Sequence, residues 1–271
     1  MKRALLIGVA YTGTNAALEG TTYDVEQMED VLVKSLGYTA DDITILAERE
    51  AYHGTHAILE PTRANIEAQL IRLAEECVSN SAITEVLWQY SGHGAYVKDP
   101  TGSADEDDGK DECLVPLDYI KAGLIRDDTI NAILSLFPKH VTFIGLMDAC
   151  HSGTVFDLPY RYITGNKYVI ESETSRIQCR CIMLSGCRDD QTSADAYNLA
   201  NAKEYSGAMT TSFRAALKVH GYCVSVWQLQ KHMWAFLKKR KFSQRPQVTT
   251  NVRLNRGTLF INRNRVAPFI Q

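Results

Sequence analysis

Two residues carry the side chains of a nucleophile and its base. Cys150 stands in the run Asp148-Ala149-Cys150-His151-Ser152-Gly153, and His93 in Ser91-Gly92-His93-Gly94. A cysteine attacks a carbonyl carbon as its thiolate, and a thiol of ordinary pKa, about 8.5, needs an imidazole or positive surroundings to do this near neutral pH. Each residue follows an apolar run of strand length, 83–90 before the histidine and 141–147 before the cysteine. The N–H of Gly94 and that of Cys150 could then hold the oxyanion of a tetrahedral intermediate, glycine allowing the backbone to turn toward it. Singly, the histidine reads as well as a turn residue and the cysteine as a small buried hydrophobe. Together, their strand-end placement, Gly and Ser neighbours and chain order favour a Cys-His dyad. His151 is a rival base, but a side chain adjacent in sequence points away from the thiol, so it is expected to be structural.

Such a pair needs a scaffold that brings two strand ends together. The chain alternates β-rich runs with helical patterns, as an α/β fold with crossover helices does. Strands are expected at 3–10, 43–46, 83–90, 141–147, 179–184, 247–252 and 257–261. Helical stripes are Val25, Met28, Val31, Leu32 and Leu36, closed by Gly37, then Ile66, Leu70, Leu73, Ala74 and Cys77 after Pro61-Thr62. Two more are carried by Met209, Phe213, Ala216 and Leu217 and by Val226, Leu229, Met233, Phe236 and Leu237. Ligands of open α/β sheets bind outside the carboxyl ends of the strands, so the two polar tails would share one crevice. The stretches 95–112 and 164–176 read as irregular and are too short to link independent domains. One continuous domain, 1–271, is expected.

Composition narrows the classes. With 45% hydrophobic and 23% charged residues the chain is neither disordered nor membrane-spanning. No apolar run of about 18 residues or secretory leader is read, so no membrane partner is expected. Seven cysteines, an odd number without CxxC pairing, suggest reduced thiols in a cytoplasmic setting, six of them small core residues. Phosphate-binding glycine loops, HExxH and GxSxG are missing.

The runs YSGHG at 90–94, DECLVPLD at 111–118, DACHSG at 148–153, SGCRDDQTSAD at 185–195 and SGAMTTSF at 206–213 resemble those of type I metacaspases, caspase-like cysteine proteases. The resemblance spans nearly the whole chain. It implies a caspase-like α/β sandwich with a central mostly parallel sheet flanked by helices. A large-subunit-like region would cover about 1–160 and a small-subunit-like region about 177–271. It also implies a calcium-dependent endopeptidase that cuts protein or peptide substrates after Arg or Lys, with His93 and Cys150 as the dyad, and some members process themselves. Here that would fall at Arg161, Lys167, Arg176, Arg180 or the basic run 231–245. The alternative is a catalytically silent scaffold of the same fold. A legumain- or separase-like protease would share the His-Gly and Ala-Cys ends but not the aspartate set.

A cationic substrate side chain must be met by fixed anions. Asp148 lies two residues before the nucleophile, and the resemblance adds Asp24, Ser91 and Thr21 to the same pocket. Thr21-Thr22-Tyr23-Asp24 reads equally as a helix capping box. Residues 105–128 hold nine acidic and three basic side chains. Their spacing does not make an EF-hand, and the calcium ligands implied by the resemblance are Asp111, Asp127, Asp128 and Asp157. Asp105–Asp108 is read as a solvated acidic loop. The opposite cluster, six basic residues at 231–245, is read as a solvated helix end with Trp227 and Trp234 packing; no nucleic acid is expected and the chain is taken as a monomer. The net charge of -3 is thus the near-cancellation of two local clusters.

Overall fold

The computed structural model describes residues 1–98, 110–149, 155–164, 167–172, 175–186, 207–242, 245–255 and 257–262. The first half runs β1 (Lys2–Gly8), α1 (Thr21–Ser35), β2 (Ile43–Ala47), β3 (Ile58–Leu59), α2 (Arg63–Ser79) and β4 (Glu85–Ser91). It continues with β5 (Gly94–Lys98), β6 (Lys110–Leu114), α3 (Tyr119–Ala122), β7 (Ile125–Arg126) and α4 (Asp127–Leu134). Then come β8 (Thr142–Asp148), β9 (Tyr160–Thr164), β10 (Lys167–Ile170) and β11 (Arg180–Ser185). The last elements are α5 (Ala208–Val219), β12 (Cys223–Ser225), α6 (Val226–Lys239), β13 (Gln247–Thr250) and β14 (Leu259–Asn262).

Nine strands form one sheet in the order β10-β9-β13-β11-β8-β4-β1-β2-β3. The six from β11 to β3 are parallel, and β13, β9 and β10 add antiparallel at one side. The central strands are apolar nearly throughout because helices cover both faces. In β1, Leu5 and Ile7 point to one core with α2 and α4, while Ala4 and Leu6 point to the other with α1, α5 and α6. The fold is therefore mixed α/β, with a mostly parallel sheet between helical layers.

Several expectations are adjusted. The stretch 95–112 holds β5 and most of β6, which with β7 form a separate three-stranded sheet. Likewise 164–176 contains β10, paired with β9 as a hairpin. The final strand leaves the main sheet and pairs with β12. Thr62 caps α2 by accepting the Asn65 N–H at 3.3 Å, and Gly37 after α1 adopts φ 74°.

The register sets the site. Ser91 ends β4 opposite Asp148 at the end of β8, so the tails carrying His93 and Cys150 leave adjacent parallel strands at one edge. Cys150 itself and its neighbours 151–154 lie outside the described residues.

Candidate active site

His93 is held from three directions. Its backbone N–H donates to the Tyr11 hydroxyl at 3.0 Å, its ring lies 4.9 Å from the Tyr11 ring, and its Nε2 is 2.8 Å from the Ala16 carbonyl. A carbonyl can only accept, so Nε2 carries the hydrogen and Nδ1 of the neutral ring is left as the proton acceptor. Tyr11 is anchored in turn. Its hydroxyl donates to the Val115 carbonyl at 2.6 Å, as does that of Tyr90 at 2.8 Å. Burial pushes both phenols well above their usual pKa, so they act as fixed neutral donors.

The loop after β1 is secured by Glu48. This buried carboxylate accepts the N–H groups of Ala10 and Tyr11 at 2.6 Å each and of Thr12 at 2.8 Å. Three consecutive amides on one carboxylate hold Tyr11 at φ 51°, a left-handed conformation uncommon for a bulky residue. The sequence offered no sign of this, because Glu48 lies 37 residues from Tyr11 and only the pairing of β1 with β2 brings them together.

Gly94 opens β5. The Val115 N–H donates to the His93 carbonyl at 3.1 Å, making His93 and Val115 a bonded antiparallel pair. Orientation alternates along such a ladder, so the Gly94 N–H points away from β6 and is available at the edge.

Asp24 and Asp148 meet at the N-terminus of α5. Asp24 Oδ2 accepts the Ser91 hydroxyl and its Oδ1 the Gly207 N–H, both at 2.7 Å. Asp148 Oδ2 accepts the Thr210 N–H at 3.1 Å and its hydroxyl at 3.3 Å. A Cβ on Gly207 would sit 2.3 Å from Asp148 Oδ2 and 2.5 Å from Asp24 Oδ2. The carboxylates therefore face each other across a glycine that nothing larger could replace without moving them. Both are buried, 1% and 6% exposed, where two carboxylates are tolerable only with hydrogen-bond donors or a cation to meet them. Thr21, one turn before Asp24, has a buried hydroxyl with no hydrogen-bond partner among the described residues. The capping-box reading is not what forms: α1 is capped by Gly20 without a side-chain bond, and Asp24 reaches across to Ser91 and Gly207 instead. Gly207 and Thr210 lie in the run 206–213 that carries the resemblance, but the sequence assigned them no part in the pocket, although a glycine ahead of an amphipathic helix is an N-cap signal.

Asp127, Asp128 and Asp157 form a third cluster, each with an oxygen within 4.8 Å of the others. Asp127 is buried; its Oδ2 accepts the Glu112 N–H at 2.7 Å, tying α4 to β6. Asp157 adopts φ 47°. Three converging carboxylates are a hard oxygen set that suits Ca²⁺. The backbone of Asp111 lies in β6 beside Glu112, and its side chain is outside the described residues, as is the 105–108 run.

Two minor expectations are corrected. Cys77, Cys113, Cys179 and Cys181 are core residues but Cys223 is exposed; Cys187 lies outside the described residues. Trp227 packs on Tyr162 with ring centroids 4.8 Å apart, whereas Trp234 is exposed. Among the described residues, no helix is long and apolar enough to cross a membrane.

Comparison with known proteins bears on the family and the fold. Residues 2–159 match the model of the metacaspase, peptidase C14 domain. Metacaspase-3 of Trypanosoma brucei brucei is 32% identical over 261 residues, covering 92% of this chain and 71% of that protein. Inactive metacaspase-4 of the same organism is 33% identical over 269 residues, covering 93% and 72%. Among solved structures, protein GSU0716 from Geobacter sulfurreducens aligns with a TM-score of 0.61 at 23% identity, covering 95% of this chain and 98% of that one. Pro-sf-caspase-1 aligns with a TM-score of 0.53 at 11% identity, covering 95% and 88%, which speaks for a caspase-like fold. With the family model spanning more than half of its length and relatives matching nearly all of it, the chain belongs to the metacaspase family of cysteine peptidases.

Proposed function

We propose that this chain is a calcium-dependent cysteine endopeptidase of the type I class, cutting protein substrates after Arg or Lys in the cytoplasm. The observation that carries the specificity is the pair Asp24 and Asp148, facing each other beside the strand end that leads to Cys150. A guanidinium or ammonium entering there exchanges its water for two fixed carboxylates.

His93 Nδ1 takes the proton of Cys150, and the thiolate attacks the scissile carbonyl. The Gly94 and Cys150 N–H groups receive the developing oxyanion. Collapse to the thioester passes the proton from His93 to the leaving amine, and water activated by the same imidazole releases the acid. The hydrogen bond to Ala16 fixes the tautomer that this exchange needs. Calcium would be held by Asp127, Asp128 and Asp157 with Asp111 beside them, neutralising carboxylates that otherwise repel. These residues join β6, α4 and the segment seven residues beyond Cys150.

Among the sites of self-cleavage, Arg161, Lys167 and Arg180 lie in strands, while Arg176 is exposed outside them. Exposed irregular backbone is what proteases cut, so Arg176 is the preferred site of the four.

Arginyl, lysyl and aspartyl reporter peptides, assayed with and without calcium on wild type and Cys150→Ala, test the reading. Turnover should need calcium, favour the basic reporters and vanish in the variant. Equal turnover of the aspartyl peptide, or without calcium, would overturn the specificity or the calcium dependence. The second reading, a silent scaffold, is favoured by the relative that carries the name inactive. It predicts a chain that turns over no reporter yet still captures a partner protein.

A further inference from the structure

A pocket of about 490 Å³ opens between α6 and the strands β9 and β13. Its walls are the rings of Tyr162, Trp227 and Trp234 with Ile163, and its charged groups include Lys231 and Arg245. Among the described residues, no acidic side chain lines it. The Gln230 amide braces its floor by donating to the Pro246 carbonyl at 3.1 Å and the Tyr162 carbonyl at 3.4 Å. Arg161, also at the wall, is engaged by Glu171, whereas neither Lys231 nor Arg245 is in an ion pair among the described residues. An apolar, aromatic hollow rimmed by two cations that make no ion pair among the described residues fits an acidic residue beside an apolar one.

The register places this pocket on the catalytic edge. Met147, next to Asp148, pairs with Ser185 of β11, and Ser185 pairs with Gln247, which lines the pocket. Two strand spacings make about 10 Å, which an extended peptide covers in about three residues. Direction follows from the chemistry proposed above. The leaving amine must receive its proton from His93, which follows β4 and is held by the loop after β1. The amine side of the substrate thus runs toward β1 and the acyl side toward β11 and β13. We propose that the pocket is an upstream subsite, which takes an acidic residue three or four positions before the scissile basic residue.

This rests on the peptidase reading, and the test separates the two. Arginyl reporters carrying Glu, Gln or Lys at the third and fourth positions upstream, with Leu beside it, are compared on wild type and on Lys231→Glu/Arg245→Glu, both exposed positions. Wild type should favour Glu over Gln by about fivefold in kcat/KM, the gain an exposed ion pair can supply, and less at high salt. The double variant should reverse the order, favouring Lys. A ratio of one in wild type, or one unchanged in the variant, overturns the subsite while leaving arginyl cleavage standing. If no arginyl reporter is cut, the peptidase reading falls, and tryptophan fluorescence titration with the Glu and Lys peptides decides the pocket. Tighter binding of the Glu peptide, lost in the double variant, supports it, and equal binding of the two overturns it.

Discussion

Two groups of buried carboxylates stand near the same edge of the sheet and differ in what surrounds their oxygens. Glu48 is met by three backbone amides of one loop and is built into the turn that carries Tyr11. Asp24 and Asp148 also receive amides, from Gly207 and Thr210, yet they face one another across the N-terminus of α5. A closed ring of donors makes a carboxylate a structural clamp, while opposed carboxylates attract a further cation. Burial alone does not distinguish the two, since all three residues are nearly inaccessible.

The comparison can be broken first at the chemistry both groups serve. Cys150→Ala or His93→Ala should lower arginyl kcat by about 10⁴-fold or more. Should either variant retain substantial turnover, the edge would not be the catalytic one.

Next come the facing aspartates. Asp24→Asn and Asp148→Asn should each lower arginyl kcat/KM by about 10²-fold, the scale of losing one partner of a desolvated charge pair. Gly207→Ala should cost about tenfold, since its methyl must displace both carboxylates. A rise in KM with unchanged Arg-over-Asp preference would show that these groups only cap α5.

Glu48→Gln sharpens the other side. It should destabilise the fold by about 1–3 kcal/mol, because amides are left facing an NH₂ group, while the preference for arginyl over aspartyl reporters persists. Denaturant unfolding and the two reporters read these separately.

A smaller effect is expected in thiol labelling. Burial pushes the Cys77 thiol up to about 11 and the Cys179 thiol up to about 12, so neither should react with iodoacetamide at pH 7.5 in the folded protein. Mass spectrometry of alkylated native protein should find the label at Cys150 and the exposed Cys223 instead.

The smallest effect concerns His220, whose Nε2 lies 2.8 Å from His232 Nδ1. Burial and this neighbour lower its pKa below 6.5, so the unfolded chain binds its proton more readily. The contribution to stability is present above pH 6.5 and is lost as pH falls through the lower folded value. His232→Gln should flatten that part of the stability profile.

The central strands and amphipathic helices were legible because their signal is local. A strand covered on both faces is apolar throughout, and α2 repeats its buried residues every three or four positions. The hairpin of β9 and β10 was not, since β10 is an exposed edge strand whose Lys167-Tyr168-Val169-Ile170 follows no alternation of burial. The small sheet of β5, β6 and β7 was missed for a similar reason: β6 carries charged residues at its start and β7 is two residues long.

The sequence by itself determined the family, the candidate dyad and the list of aspartates, because these reside in residue identity and order. Only the tertiary structure decided what each aspartate does. Asp24 could cap its own helix or reach across the sheet edge, and neighbours along the chain cannot choose between them. That choice is made by Ser91 and Gly207, 67 and 183 residues away, which parallel pairing and the approach of α5 bring within hydrogen-bond distance.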